Sequence, residues 1–277
     1  MEGRPQGVVP AANALRHRLS VDKLTTAQLA DLREAFRLAA KRSDNRSVSF
    51  WAGIHGVPQG FCQHHVTNEH GARFFLPWHR AYLHNFELTL REFVPGVTLP
   101  WWDWTFDAAH PRFIPNAYSR KTLPGGGGPN PLASQAIPRM TQPPIPGQPR
   151  KTVRANNPPD SGSQPTAQFI DKTLLNMKNY FRFSLALENI HDGIHGLVGG
   201  TMANIGWAAY DPIFWAHHVM IDRIWALWQD RNGIAGPTPD MFEEVLEPFN
   251  LKIPGVLEIG RLGYTYSASR SGARGNR

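Results

Sequence analysis

The 277-residue chain contains a single cysteine, Cys62, which excludes an internal disulfide framework. No apolar run approaches the length needed to span a bilayer, and the opening MEGRPQGVVPAANALRHRL lacks the apolar centre of a secretory signal. These absences predict a soluble protein with no membrane partner, cytoplasmic or exported without an evident signal peptide. Strand patterns are scarce and no internal repeat is visible. A net charge of +7 raises the question of nucleic acid, but much of the excess sits at the ends, in Arg16, His17 and Arg18 and in Arg270, Arg274 and Arg277. No basic stripe interleaves with aromatics, so no nucleic-acid partner is expected.

What the sequence does have is tryptophan, nine residues of it, and twelve histidines. Trp78, Trp101, Trp102, Trp104, Trp207, Trp215, Trp225 and Trp228 lie mostly beside histidines, and we expect them to wall a rigid, dry core. Residues 1–20 read as an extended arm. Thr25 or Thr26 caps a helix over about 27–42, with Leu29, Leu32 and Phe36 on its inward stripe. SVSFWAGI at 47–54 is a short helix that delivers His55. Pro77 is expected to start a helix that ends at Pro95-Gly96. The stretch 110–165 holds about half of the prolines and the run GGGG, and reads as a long surface excursion rather than a second domain. Helix resumes near Gln168 through Met177, again from Asp211 to about Asp230, and over about 239–246. The expected fold class is therefore mainly α, a four-helix bundle core with long Pro/Gly-rich loops. One domain spans 1–266, and 267–277 is a disordered basic tail.

His191 and His195 are four apart, so a helix presents both imidazoles on one face. His218 comes from a neighbouring helix behind Asp211-Pro212, which is how a bundle builds an interior metal site. His55, His70 and His79 form a second set. Two three-histidine sets in one small chain predict two metals side by side. Imidazole suits zinc, copper, iron and nickel. A shell of six neutral imidazoles, with no carboxylate and no thiolate, suits copper in both oxidation states and leaves room for an added ligand, dioxygen among them.

The segment HGARFFLPWHR, from His70 to Arg80, with Leu83 and Glu87 behind it, resembles the first copper motif of the tyrosinase, catechol oxidase and hemocyanin superfamily. DPIFWAHH, from Asp211 to His218, with Asp222 behind it, resembles the second. HDGIH followed by LVGGTM is similar to the helix between them, and Tyr264-Thr-Tyr266 to the tyrosine motif that closes the domain. The resemblance covers about 51–266 apart from the proline-rich excursion. It implies two copper ions, one on His55, His70 and His79, the other on His191, His195 and His218. Adjacent helical residues point about 100° apart, so only one of His217 and His218 faces the metal, and the family pattern selects His218. His64, His65, His84 and His110 are read as solvated or outer residues. Some members link a cysteine to the middle ligand of the first copper. For Cys62, a thioether to His70 and a buried free thiol both stand.

The resemblance further implies an oxidase that uses O2 to hydroxylate monophenols to o-diphenols and to oxidise o-diphenols to o-quinones. Small phenols are its substrates. Glu188 matches the family's water-holding glutamate, and Asp192 stands where strong monophenol hydroxylases place asparagine; these two are the candidate catalytic residues. Gly196 leaves an open approach to the second copper, and Ile205 or Trp207 gates the first. The alternatives are a catechol or o-aminophenol oxidase with little monophenolase activity and a hemocyanin-like oxygen carrier. A zinc hydrolase is disfavoured, because the zincin helix requires glutamate after its first histidine. Since the chain ends soon after Tyr266, we expect no C-terminal lid. Either the enzyme is naturally open or a separate helper protein delivers copper.

Overall fold

Helix starts in this chain follow from capping chemistry. The computed structural model describes residues 15–62, 69–107, 112–140, 144–155, 163–233 and 236–266, with the backbone alone of 69–71. In chain order the main helices are α1 (Thr26–Ala40), α2 (Val48–His55), α3 (Glu69–Phe93), α4 (Asn116–Ser119), α5 (Ala167–Lys172), α6 (Tyr180–Val198) and α7 (Pro212–Asn232). Thr25 and Gln28 close a reciprocal capping box on α1. Ser47, Asn179 and Asp211 each accept a backbone N–H in the first turn of α2, α6 and α7.

The four histidine-bearing helices α2, α3, α6 and α7 pack into one core, with α7 in the middle. Nearly every residue of α7 from Pro212 to Ala226 is buried, as expected of a helix enclosed on all sides. Seven of the tryptophans, Trp78, Trp101, Trp102, Trp104, Trp215, Trp225 and Trp228, are fully buried there, as expected. The excursion is more ordered inside than its composition predicts. Tyr118, Leu132 and Ile137 are buried, and Arg154 donates to both carboxylate oxygens of Asp211 and to the carbonyls of Tyr118 and Leu132. One guanidinium thus ties the excursion to the start of α7.

Four expectations are corrected. Pro77 does not start α3 but lies inside it, two turns beyond Glu69. A proline has no N–H to give the carbonyl four residues back. Here the Arg73 carbonyl takes the Tyr180 hydroxyl of α6 instead, at 3.0 Å, and Ser184 one turn along donates to Ala72. The facing helix therefore repairs the break, and tertiary contact outweighs the local signal. The stretch 239–246 is a short 3-10 turn, Pro239–Met241, followed by strand β2 (Val245–Leu246), which pairs antiparallel with β3 (Leu251–Lys252). Helix at 168–177 is interrupted: α5 ends at Lys172 and a 3-10 turn covers Leu174–Asn176.

The last correction concerns the arm. Arg16–Arg18 forms strand β1, parallel to β4 (Tyr264–Tyr266). Arg18 is not a solvated end charge but fully buried, donating to Glu87 at 2.9 Å and stacked over the Tyr264 ring at 3.7 Å. Asp222 of α7 gathers this corner together. It accepts from Arg80, Arg18, Tyr264 at 2.7 Å and Tyr266. Burial opposes ionisation of Asp222, but Arg80 and Arg18 outweigh it and hold the carboxyl below its usual value. Residues 1–14 and 267–277 lie outside the described residues.

Removing Asp222 leaves Arg80 buried without its carboxylate, the case in which a broken buried pair costs about 3–5 kcal/mol. Asp222→Ala should lower stability by that amount in denaturant unfolding. A change below about 1 kcal/mol, the value of an exposed ion pair, would show that the corner is not held by this charge.

Candidate metal centre

Each helix delivers its histidines by a local device. His55 is the last residue of α2, and the next position must be glycine: a Cβ on Gly56 would stand 2.5 Å from the Gly206 carbonyl oxygen and 2.7 Å from that of Ile205. This close approach brings the loop before α7 against His55. His79 lies just beyond the Pro77 break in α3, and His191 and His195 are on successive turns of α6. After α6, Gly199 and Gly200 adopt positive φ, where glycine is favoured, and Gly200 packs so tightly on Val153 that a Cβ would meet its carbonyl at 2.2 Å.

The imidazoles converge. His191 Nε2 lies 3.1 Å from His218 Nε2 and 3.0 Å from His195 Nε2, and His195 and His218 close the triangle at 3.3 Å. Ring nitrogens of His55, His79 and His218 lie within 4.8 Å of one another, and the His79 and His218 rings stack with centroids 4.5 Å apart. The two clusters therefore meet at His218. The side chain of His70 lies outside the described residues, as do His64, His65 and His110. His84 is half-buried, and its pKa is lowered, chiefly by burial.

The tautomers explain what this geometry is for. His195 Nδ1 lies 2.7 Å from the Met202 carbonyl, and His79 Nδ1 lies 2.8 Å from that of Phe75. A carbonyl only accepts, so each Nδ1 carries the proton and each Nε2 turns a lone pair inward. His191 Nδ1 donates in the same way to Asp192 Oδ1 at 2.9 Å. Two lone pairs facing each other at 3.0 Å repel unless a cation lies between them. A triangle with these sides has a centre about 1.8 Å from each nitrogen, so an ion at the metal–imidazole bond length of about 2.0–2.1 Å fits just off its plane. The acceptors on the far side of each ring are the partners that metal-bound histidines ordinarily have.

The ring nitrogens of His217 also lie within 4.8 Å of those of His191, His195 and His218. Its ring stacks parallel on His191 at 5.0 Å, on the side walled by Trp104, and His218 is the one that enters the Nε2 triangle. Cys62 Sγ stands 3.6 Å from His79 Nε2, so the sulfur rests on the last histidine of the first set. Glu188 is buried one turn before His191.

A pocket of about 180 Å³ opens onto the centre, lined by His55, His195, Asp192, Gly196, Met202, Ala203, Ile205 and Ala208. Of the two gate candidates Ile205 lines the pocket and is 45% exposed, whereas Trp207 is buried beside Tyr210. Glu188 does not line it among the described residues. Sequence reasoning missed Met202, whose carbonyl orients His195; a glycine pair followed by a tight turn was the available signal.

A helical core with two clusters of imidazoles that meet at His218 is a ligand set fit for a pair of metal ions. The common central domain of tyrosinase matches residues 45–231, and the chain belongs to the tyrosinase family, whose members include tyrosinases and hemocyanins and bind two coppers. Hemocyanin 1 of Megathura crenulata is 31% identical over 236 residues, which is 81% of this chain but 6% of that protein. The chain thus spans from 6% to 52% of the hemocyanins it matches. The tyrosinase of Streptomyces glaucescens is 30% identical over 224 residues, 71% of this chain and 80% of that enzyme. A copper-bound mutant of active Aspergillus oryzae tyrosinase shares the fold, with TM-score 0.77, 20% identity and 95% coverage of both chains. No described helix is long and apolar enough to cross a membrane.

Burial holds His217 and His218 well below the usual imidazole value of 6.5, helped by the neighbouring imidazoles. The unfolded chain takes up protons on these residues first, so they contribute full stability above pH 6.5 and progressively less as pH falls beneath it. Metal-free protein should therefore show a falling denaturant midpoint below that pH. An unchanged midpoint would count against buried neutral imidazoles.

Proposed function

We propose that the chain is a dicopper oxidase that hydroxylates monophenols to o-diphenols and oxidises o-diphenols to o-quinones with O2. The observation that carries this reading is the pocket: a passage from the surface to His55 and His195 serves a substrate larger than dioxygen. Its volume is below the roughly 300–1,000 Å³ of drug-sized sites, which fits a single phenolic ring. Two coppers, bound by His55, His70 and His79 and by His191, His195 and His218, would supply the redox chemistry.

The chain's own residues bring the phenol in and remove its proton. Gly196 keeps the wall open, since a Cβ there meets nothing within 4 Å. Ile205 covers the mouth with apolar surface. A phenol loses its proton before its oxygen ligates a metal, and Asp192 is the carboxylate that borders the pocket, 39% exposed at its side chain. It also orients His191, so one carboxylate does two tasks. Glu188 supports from the buried side of the same helix. Hemocyanin relatives as similar as the tyrosinase keep the oxygen carrier as the second reading.

Copper-reconstituted protein should oxidise an o-diphenol and a monophenol. Turnover of the diphenol alone would indicate a catechol or o-aminophenol oxidase, and reversible oxygen binding without turnover would establish a carrier. Asp192→Asn keeps an acceptor for His191 and passes the proton-accepting task to a water held by the new amide and Glu188, so the ratio of monophenol to diphenol turnover should rise; an unchanged or lower ratio would count against a water-held base at this position. Gly196→Leu, which replaces a helix-weakening glycine, should raise KM for substituted phenols without loss of stability. Unchanged KM would show that the phenol enters elsewhere.

A further inference from the structure

A second, larger groove lies beside α2 and α3. It measures about 550 Å³ and is lined by Phe50, Trp51, Ile54, Asn85 and Phe249, among others. Its wall is connected to the metal centre through rings. His55 stacks on Tyr82 with centroids 6.0 Å apart and 30° between planes. Tyr82 in turn contacts Trp78 at 5.0 Å, Trp215 at 4.8 Å and Trp51 at 6.2 Å. Of those three indoles only Trp51 reaches the surface, at 8% exposure, and only Trp51 borders the groove; Trp78 and Trp215 are sealed. The Tyr82 hydroxyl donates to the Trp51 carbonyl at 2.6 Å, which fixes the two rings relative to each other.

We propose that Tyr82 and Trp51 form a one-electron relay from the metal centre to this groove, where a phenol too large for the main pocket donates electrons. The inference rests on the oxidase reading for its oxidant, the oxidising equivalents that dioxygen or peroxide leaves at the metal pair. In each transfer Trp51 gives up one electron through the Tyr82 and His55 rings, and the metal pair is reduced by that electron. The Trp51 indole becomes a radical cation. A phenol in the groove returns one electron to it, loses its O–H proton to water and leaves as a phenoxyl radical. Two phenols therefore discharge one hydrogen peroxide, whose oxygens take up the two electrons and two protons that the phenols release and end as two waters. The hole rests on Trp51 rather than Tyr82 because the carbonyl that the Tyr82 hydroxyl faces cannot take its proton. Trp51 Nε1 has no hydrogen-bond partner among the described residues, so its radical keeps its proton.

The test uses copper-loaded protein treated with hydrogen peroxide in the absence of phenol, followed by freeze-quench electron paramagnetic resonance and peptide mass mapping. An indole radical and oxygen addition at Trp51, ahead of Trp78 and Trp215, are expected. Trp51→Phe keeps the packing but should abolish the radical, divert oxidation to the ligating histidines and hasten copper loss. Tyr82→Phe should weaken the signal while leaving Trp51 in place. An unmodified Trp51, with histidine oxidation equal in the parent and Trp51→Phe, overturns the relay. Phenol turnover with that result sinks the relay alone; a Trp51 radical that a bulky phenol fails to quench sinks the groove donor, and one without turnover of any small phenol sinks the oxidase reading.

Discussion

Inward-facing lone pairs on neutral imidazoles are the constraint around which this molecule is built. A carbonyl behind His79, another behind His195 and the Asp192 carboxylate behind His191 decide which nitrogen carries the proton. The opposite nitrogens are then driven together at close range, an arrangement that is unfavourable until a cation occupies it. Burial holds His217 and His218 well below the usual imidazole value, which keeps both neutral.

Holding that strained arrangement requires a rigid frame. α7 runs through the middle of the bundle, carries His218 on one turn and Asp222 on the next, and so links the centre to the buried charge corner of Arg18, Arg80, Glu87, Tyr264 and Tyr266. The start of the same helix is held by Arg154 from the excursion. The two ends of the described chain and its longest loop are thereby fastened to one helix. Tight glycines then bring the Ile205 loop and the Met202 turn to the rim, so the part of the site that meets solvent is set by loops on a rigid scaffold.

Much of this was legible in advance where the signal is periodic or local. The i, i+4 spacing of His191 and His195, the cap at Thr25 and the helical character of all four histidine-bearing segments follow from short-range rules. Expectations failed where a distant partner overruled such a rule. Pro77 reads as a helix start until Tyr180 supplies the missing donor for Arg73. Arg18 reads as part of an extended arm until Glu87 and Asp222 bury it.

Local chemistry alone therefore determined that the chain is helical, rich in imidazole and suited to borderline metals, because spacing along one helix puts side chains on one face without help from elsewhere. Only the folded chain decided that His218 stands between both clusters, that Ile205 rather than Trp207 meets the pocket, and that Trp51 is the indole of the Tyr82 cluster nearest solvent. Those outcomes depend on how separate segments approach one another, and no short-range pattern encodes that approach.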